Sequence, residues 1–255
     1  MGSILDIYSG SLRIQAYETR MEMGENAAVD AADRLKRIIG EKGMANAVFA
    51  AAPSQNEFLA SLLRQDVDWV KVRAFHMDEY IGLTEDAPQG FGNFLKEAIF
   101  DIVDFGEIYY LNGQAPDPET ECERYAGLLE TYPPDIVFLG IGENGHLAFN
   151  DPGVADFSDP LKVKVVALDD VCRNQQVNDG CFASLDDVPK SALTLTMSAL
   201  MDIPDAIAVV PGKTKKDAVT KTVRGPITTG CPASVLQKHE NAVLYLDRES
   251  AADLL

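Results

Sequence analysis

Apolar residues along the chain fall into two alternating kinds of run. The short, nearly unbroken ones predict strands buried on both faces: "NAVFAAA" (Asn46–Ala52), "VKVRAFHM" (Val70–Met77), "DIVFLGIG" (Asp135–Gly142), "VKVVAL" (Val163–Leu168), "AIAVVPG" (Ala206–Gly212) and "NAVLYLD" (Asn241–Asp247). Between them lie longer stretches whose apolar residues recur three and four apart. "ETRMEMGENAAVDAADRLKRIIGEKG" predicts a long helix closed by Gly43. "SQNEFLASLLRQ" places Ser54 three residues ahead of Glu57, the spacing of a capping box, and so predicts a helix starting directly after a strand. "TECERYAGLLETY", "PKSALTLTMSALMDI" and "TKKDAVTKTVRG" are read as helices as well. Strands alternating with helices predict an α/β fold, a doubly wound and mostly parallel sheet with helices on both faces, and all six strand runs are expected in one sheet. No repeat or linker interrupts the pattern, so residues 1–255 read as a single domain.

In sheets of this kind ligands bind beyond the carboxyl ends of the strands. Three such ends carry chemistry. In "FHMDEYIGL" the adjacent carboxylates Asp78 and Glu79 follow a strand, a placement that tends to raise one pKa toward the range of a useful general base. In "LGIGENGHLAFNDP" the glycines bend the chain around His146, with Glu143 or Asp151 in position to fix its tautomer. Gly140, Gly142 and Gly145 also fit a dinucleotide-binding spacing, but "HLAFNDPG" is a poor start for the phosphate-binding helix that spacing requires. In "VVPGKTKKDAV" lysines stand between a strand and a helix start, where an anion can be held. Ile207 occupies the place of the first glycine of a nucleotide phosphate loop, which argues against ATP or GTP.

Charge narrows the choice of partner. Forty acidic against 22 basic side chains give a net charge of −18, and no basic cluster offsets it, so neither nucleic acid nor an anionic membrane is expected to bind. An anionic ligand would need locally placed cations working against the field of the whole molecule. The four cysteines and three histidines show no metal-type spacing, so neither a zinc site nor a disulfide framework is predicted. No apolar run approaches the ~18 residues of a membrane span, and a cytoplasmic protein with reduced thiols is the expectation.

Taken in order, "FHMDEYIGL", "LGIGENGHLAFNDPG", "VPKSALTLTMSAL", "GKTKKDAV" and "CPASVLQKHENAVLYLDRES" resemble the glucosamine-6-phosphate deaminase and galactosamine-6-phosphate isomerase family, from about residue 20 to the C-terminus. The resemblance implies a Rossmann-like fold and an aldose–ketose isomerisation coupled to loss of the 2-amino group. It implies that His146 opens the sugar ring by protonating the ring oxygen, oriented by Asn144 and Asp151, and that Asp78 moves a proton between C2 and C1. Lys215 matches a phosphate-binding lysine, and Glu79, Ser54, Gln55 and Gly145 fall in the substrate-binding loops. No metal or organic cofactor is implied. The expected partner is a small sugar phosphate, and a homo-oligomer is expected because such assemblies are common in the family.

The chain departs from the family pattern at three places. Asn144 and Asp151 stand where the histidine's partners are usually both acidic, the second usually glutamate. "AAAPSQNEF" (Ala50–Phe58) replaces the usual "TGGTP"-like phosphate loop, so Ser54 and Gln55 would supply the contacts. The second phosphate contact is an arginine in the family, for which Arg173 in "DDVCRNQQVNDGCF" is the candidate. These departures leave a 6-phosphogluconolactonase or a non-catalytic sugar-phosphate sensor as alternatives. Asp78 as a base at carbon favours the isomerase, because lactone hydrolysis moves no proton between carbons.

Overall fold

A computed structural model describes residues 2–178 and 180–255. Its strands are β1 (Leu5–Ser9), β2 (Leu12–Tyr17), β3 (Ala45–Phe49), β4 (Val72–His76), β5 (Asp78–Tyr80), β6 (Glu107–Tyr109), β7 (Ile136–Leu139), β8 (Val163–Ala167), β9 (Ser191–Leu195), β10 (Asp205–Val210) and β11 (Ala242–Asp247). Its α-helices are α1 (Arg20–Lys42), α2 (Asn56–Leu62), α3 (Phe91–Leu95), α4 (Pro118–Thr131), α5 (Asp170–Asn178), α6 (Met197–Met201) and α7 (Lys216–Arg224).

The main sheet runs β1-β2-β11-β10-β7-β3-β4-β6. Every neighbouring pair is parallel except the β1/β2 hairpin at one edge. Both faces of its centre are covered, which is why these strands read as unbroken apolar runs. On β3, Val48 packs into the core on one face while Ala47 and Phe49 pack into the core on the other. On β10, Ala206, Ala208 and Val210 alternate in the same way with Ile207 and Val209. The predicted long helix forms as α1, with Thr19 Oγ1 accepting from Glu22 N–H and Gly43 closing it in the left-handed region at φ 83°.

Three expectations are corrected. The run Val163–Leu168 does not join the main sheet: β8 pairs antiparallel with β9, and β9 with β5, in a separate three-stranded sheet. β8 is half exposed, unlike the wholly buried central strands. "PKSALTLTMSALMDI" begins as strand β9, and only after Thr196 caps Ala199 N–H does the short helix α6 follow. Pairing on both sides overrides the helical spacing. The Ser54–Glu57 capping box does not form, because Ser54 Oγ accepts from Gln55 Nε2 and the Glu57 carboxylate binds Arg20.

Candidate active site

Chain order reverses in the sheet between β7 and β3: β3, β4 and β6 extend it one way, and β7, β10 and β11 the other. A crevice opens beyond the carboxyl ends of the strands at such a switch point. Here it is a cavity of about 670 Å³, lined by residues just past β3 (Ala50–Ser54), β4 (Met77, Asp78), β7 (Gly140–Gly142, His146) and β10 (Pro211–Lys215). The three strand ends singled out in the sequence therefore meet, and the altered loop after β3 is a fourth wall.

At one end lies His146, 8% exposed. Its Nδ1 is 2.9 Å from Asn144 Oδ1 and 3.0 Å from Asp151 Oδ1. Both are acceptors, because Asn144 spends its Nδ2 on the same Asp151 oxygen at 2.7 Å. The Nδ1 of the neutral ring is therefore protonated, and Nε2 is the nitrogen left to exchange a proton with a ligand. Burial pushes the Asp151 carboxyl up, but the hydrogen bond and charge of His146, with hydrogen bonds from Asn144 and Cys172, outweigh it and hold Asp151 below its ordinary value. Asp151 thus stays an anion, able to stabilise a protonated His146 without help from the neutral Asn144.

His146, Asp151 and Cys172 each place one possible metal-ligand atom within 4.8 Å of the others. Burial, then Asp151, push the Cys172 thiol upward, which favours its role as a proton donor to the carboxylate. The loop itself is tied to the small sheet: Phe149 N–H donates to Thr194 Oγ1 and Asn150 Nδ2 to the Leu195 carbonyl, both on β9. Gly145, at φ 89°, bends the turn, and a Cβ there would lie 2.6 Å from Cys231 Sγ.

Asp78, 7% exposed, opens β5 and lines the same cavity. Burial, and then the charge of Glu79, raise its carboxyl well above the ordinary range. Its backbone is clamped from behind by the fully buried His76. Leu111 N–H donates to His76 Nε2 at 3.0 Å, so the proton sits on Nδ1 and is donated to the Asp78 carbonyl at 2.8 Å. Burial lowers the His76 pKa and favours this neutral form. Nothing in the local pattern marks His76, because its partner Leu111 lies 35 residues away.

The cavity lining also carries cations. Lys213 and Lys215 line it from the turn after β10. That turn is pinned by Gly212, at φ 96°, whose N–H donates to both oxygens of Asp247 at the end of β11. Ser54, after β3, and Arg20, at the start of α1, line the same cavity.

Asn144 and Asp151 stand behind His146, and four of the substrate-binding candidates do not line the cavity either. The Glu79 carboxylate accepts the N–H groups of Tyr80, Phe91 and Gly92, holding the start of α3, and lines a neighbouring cavity. Gln55, 1% exposed, bridges Ser54 Oγ to the Val209 carbonyl and so points the Ser54 hydroxyl proton elsewhere. Gly145 serves the turn. Arg173 is fastened to the carbonyls of Leu185 and Val188 and to Asp170. In its place α5 presents Gln175 and Gln176, and Gln175 Oε1 also accepts from Glu143 N–H.

The family described as glucosamine-6-phosphate isomerases/6-phosphogluconolactonase matches residues 18–245. A glucosamine-6-phosphate deaminase of Listeria innocua is 37% identical over 211 residues, covering 82% of this chain and 88% of its own. One from Streptococcus uberis is 35% identical over 197 residues, covering 77% and 82%. The solved structure of a monomeric glucosamine-6-phosphate deaminase superposes with a TM-score of 0.86 at 32% identity, over 94% of this chain and 98% of that one. The 6-phosphogluconolactonase of Trypanosoma brucei shares the fold at a TM-score of 0.79 and 17% identity, over 98% of this chain and all of its own. Because the family match runs through every strand end that lines the cavity, from Ser54 to Lys215, the chain belongs to the glucosamine-6-phosphate isomerase/6-phosphogluconolactonase family.

Proposed function

We propose that the protein is an amino-sugar 6-phosphate deaminase/isomerase, converting glucosamine 6-phosphate or its galactose epimer into a ketose 6-phosphate and ammonia. The observation that carries this reading is the convergence of Asp78 and His146 on one cavity from two strand ends, with Lys213 and Lys215 in the same lining. Neutral His146 takes the proton of the C1 hydroxyl at Nε2 and gives it to the ring oxygen, so the ring C1–O bond breaks and the aldehyde is freed, and Asp151 stabilises the imidazolium formed in between. Asp78 then takes the proton from C2 while the aldehyde oxygen takes one from the substrate's ammonium group, leaving an enolamine, and Asp78 returns its proton to C1. One water adds to the resulting C2 imine and ammonia leaves, so the sum is amino sugar plus water to ketose plus ammonia. A carboxyl with a raised pKa suits proton transfer at carbon, since it is the stronger base once ionised.

Every residue in this scheme comes from a single chain, so the proposed chemistry needs no second subunit. Among the described residues no helix is long and apolar enough to cross a membrane.

Purified protein is expected to release ammonia from glucosamine 6-phosphate or galactosamine 6-phosphate, and to open 6-phosphogluconolactone far more slowly. A lactone kcat/KM above that for both amino sugars would replace this reading with the hydrolase. The role given to Arg173 is tested alongside. Arg173→Ala removes buried hydrogen bonds to carbonyls, and should lower the melting temperature by roughly 2–4 °C for each kcal/mol lost while leaving KM unchanged. A large rise in KM at unchanged stability would return Arg173 to the substrate.

A further inference from the structure

The cavity lining holds one more cation than the sequence motifs account for. Arg20, at the first position of α1, lines the cavity with Ser54, Lys213 and Lys215. Its Nε and Nη2 donate to Glu57 Oε1 and Oε2, at 2.9 Å each. This side-on fork uses two of the five N–H groups of the guanidinium. The other three have no protein acceptor among the described residues.

Stability gives little reason for this arrangement. The Arg20 side chain is 42% exposed, and ion pairs so open to water contribute little to folding. A cation in the first turn of a helix also opposes the helix dipole. The packing nevertheless holds the pair in register. Gly24, one turn further along α1, would place a Cβ 2.7 Å from the backbone carbon of Glu57 and 2.9 Å from Phe58 N. Its missing side chain lets α2 lie directly against α1, which sets Glu57 beside Arg20 at the cavity rim. Meanwhile Arg173, the expected second cation for a phosphate, is committed to protein carbonyls.

We propose that Arg20 is a substrate-binding residue that takes the terminal phosphate of the amino sugar together with Lys215 and Ser54, and that Glu57 is a positioning residue that aims its guanidinium into the cavity. The inference rests on the proposed function for the identity of the substrate, and on geometry alone for the anion. It assigns the specificity for a phosphorylated sugar to α1, an element outside the strand-end motifs.

The test compares Arg20→Ala with Glu57→Gln, which breaks the same ion pair from the other side. Each is assayed for ammonia release from glucosamine 6-phosphate and, by calorimetry, for binding of inorganic phosphate. Arg20→Ala should raise KM roughly ten- to a hundredfold, the loss of a charge-assisted hydrogen bond, with kcat within about threefold and phosphate binding weakened in parallel. Glu57→Gln keeps one acceptor for the guanidinium and should raise KM less than Arg20→Ala does, while Arg20→Lys should recover part of the loss. A KM increase in Glu57→Gln larger than that in Arg20→Ala would overturn the proposal, because Glu57 acts on the anion only through Arg20. So would an unchanged KM in Arg20→Ala. If the parent protein releases no ammonia, the deaminase reading fails by itself. Phosphate binding that still depends on Arg20 would then sustain this inference, and phosphate binding indifferent to Arg20 would overturn it.

Discussion

Asp78→Asn is expected to abolish ammonia release and at the same time to raise the melting temperature. The amide is close in size and shape to the carboxyl but cannot take a proton from carbon, and loss of a general base costs roughly a hundred- to ten-thousandfold in kcat. The gain in stability follows from the raised pKa. Burial and Glu79 lift the Asp78 carboxyl above its value in the unfolded chain, so the folded state holds its proton more tightly. That group stabilises the fold fully below the unfolded pKa, near about 3.9, and the contribution is lost as pH rises through the folded value. Asparagine carries no ionisation cost at any pH. Paired thermal melts should therefore show the variant above the parent by a few degrees near about pH 8, with the gap closing toward about pH 4. The acid limb of kcat/KM in the parent lies, for the same reason, above that of an ordinary carboxylate. A variant melting below the parent at high pH would show that the ionised form is not strained in the fold.

Gly142→Ala is expected to remove activity without unfolding the chain. A Cβ on Gly142 would lie 2.1 Å from His146 Cε1, 2.3 Å from Nε2 and 2.4 Å from Nδ1, so it meets the face of the imidazole across three atoms. The ring cannot keep both that position and its bond to Asp151. Gly142 is not among the residues with positive φ, so alanine is acceptable to the backbone and the effect is confined to the ring. The expected fall in kcat matches that of His146→Gln, roughly a hundred- to ten-thousandfold, with the circular dichroism spectrum unchanged. A Gly142→Ala protein with parental kcat would mean that the imidazole position does not matter to turnover.

The parts of this molecule that were readable from sequence are those whose cause is local. α1 announces itself by spacing, by Thr19 and by Gly43. The central strands announce themselves by being buried on both faces, and their carboxyl ends, once found, point to Asp78, His146 and the lysines after β10. What was not readable depends on partners far along the chain. β9 looks helical until β5 and β8 pair with it. Glu79 resembles a ligand-facing carboxylate until the N–H groups of Phe91 and Gly92 claim it. Arg20 sits outside every motif and reaches the cavity because Gly24 allows α1 and α2 to close together. Arg173 fails for the opposite reason, since α5 turns it toward the carbonyls of Leu185 and Val188.

The central claim, that Asp78 moves a proton between carbons while His146 opens the ring, is tested most directly by product stoichiometry. The parent protein and Asp78→Asn are incubated with glucosamine 6-phosphate and with galactosamine 6-phosphate, and ketose 6-phosphate and ammonia are quantified together. The account predicts equal amounts of the two products from the parent on at least one epimer and neither from the variant. Ammonia released by Asp78→Asn at the parental rate, or ammonia without ketose, would contradict it.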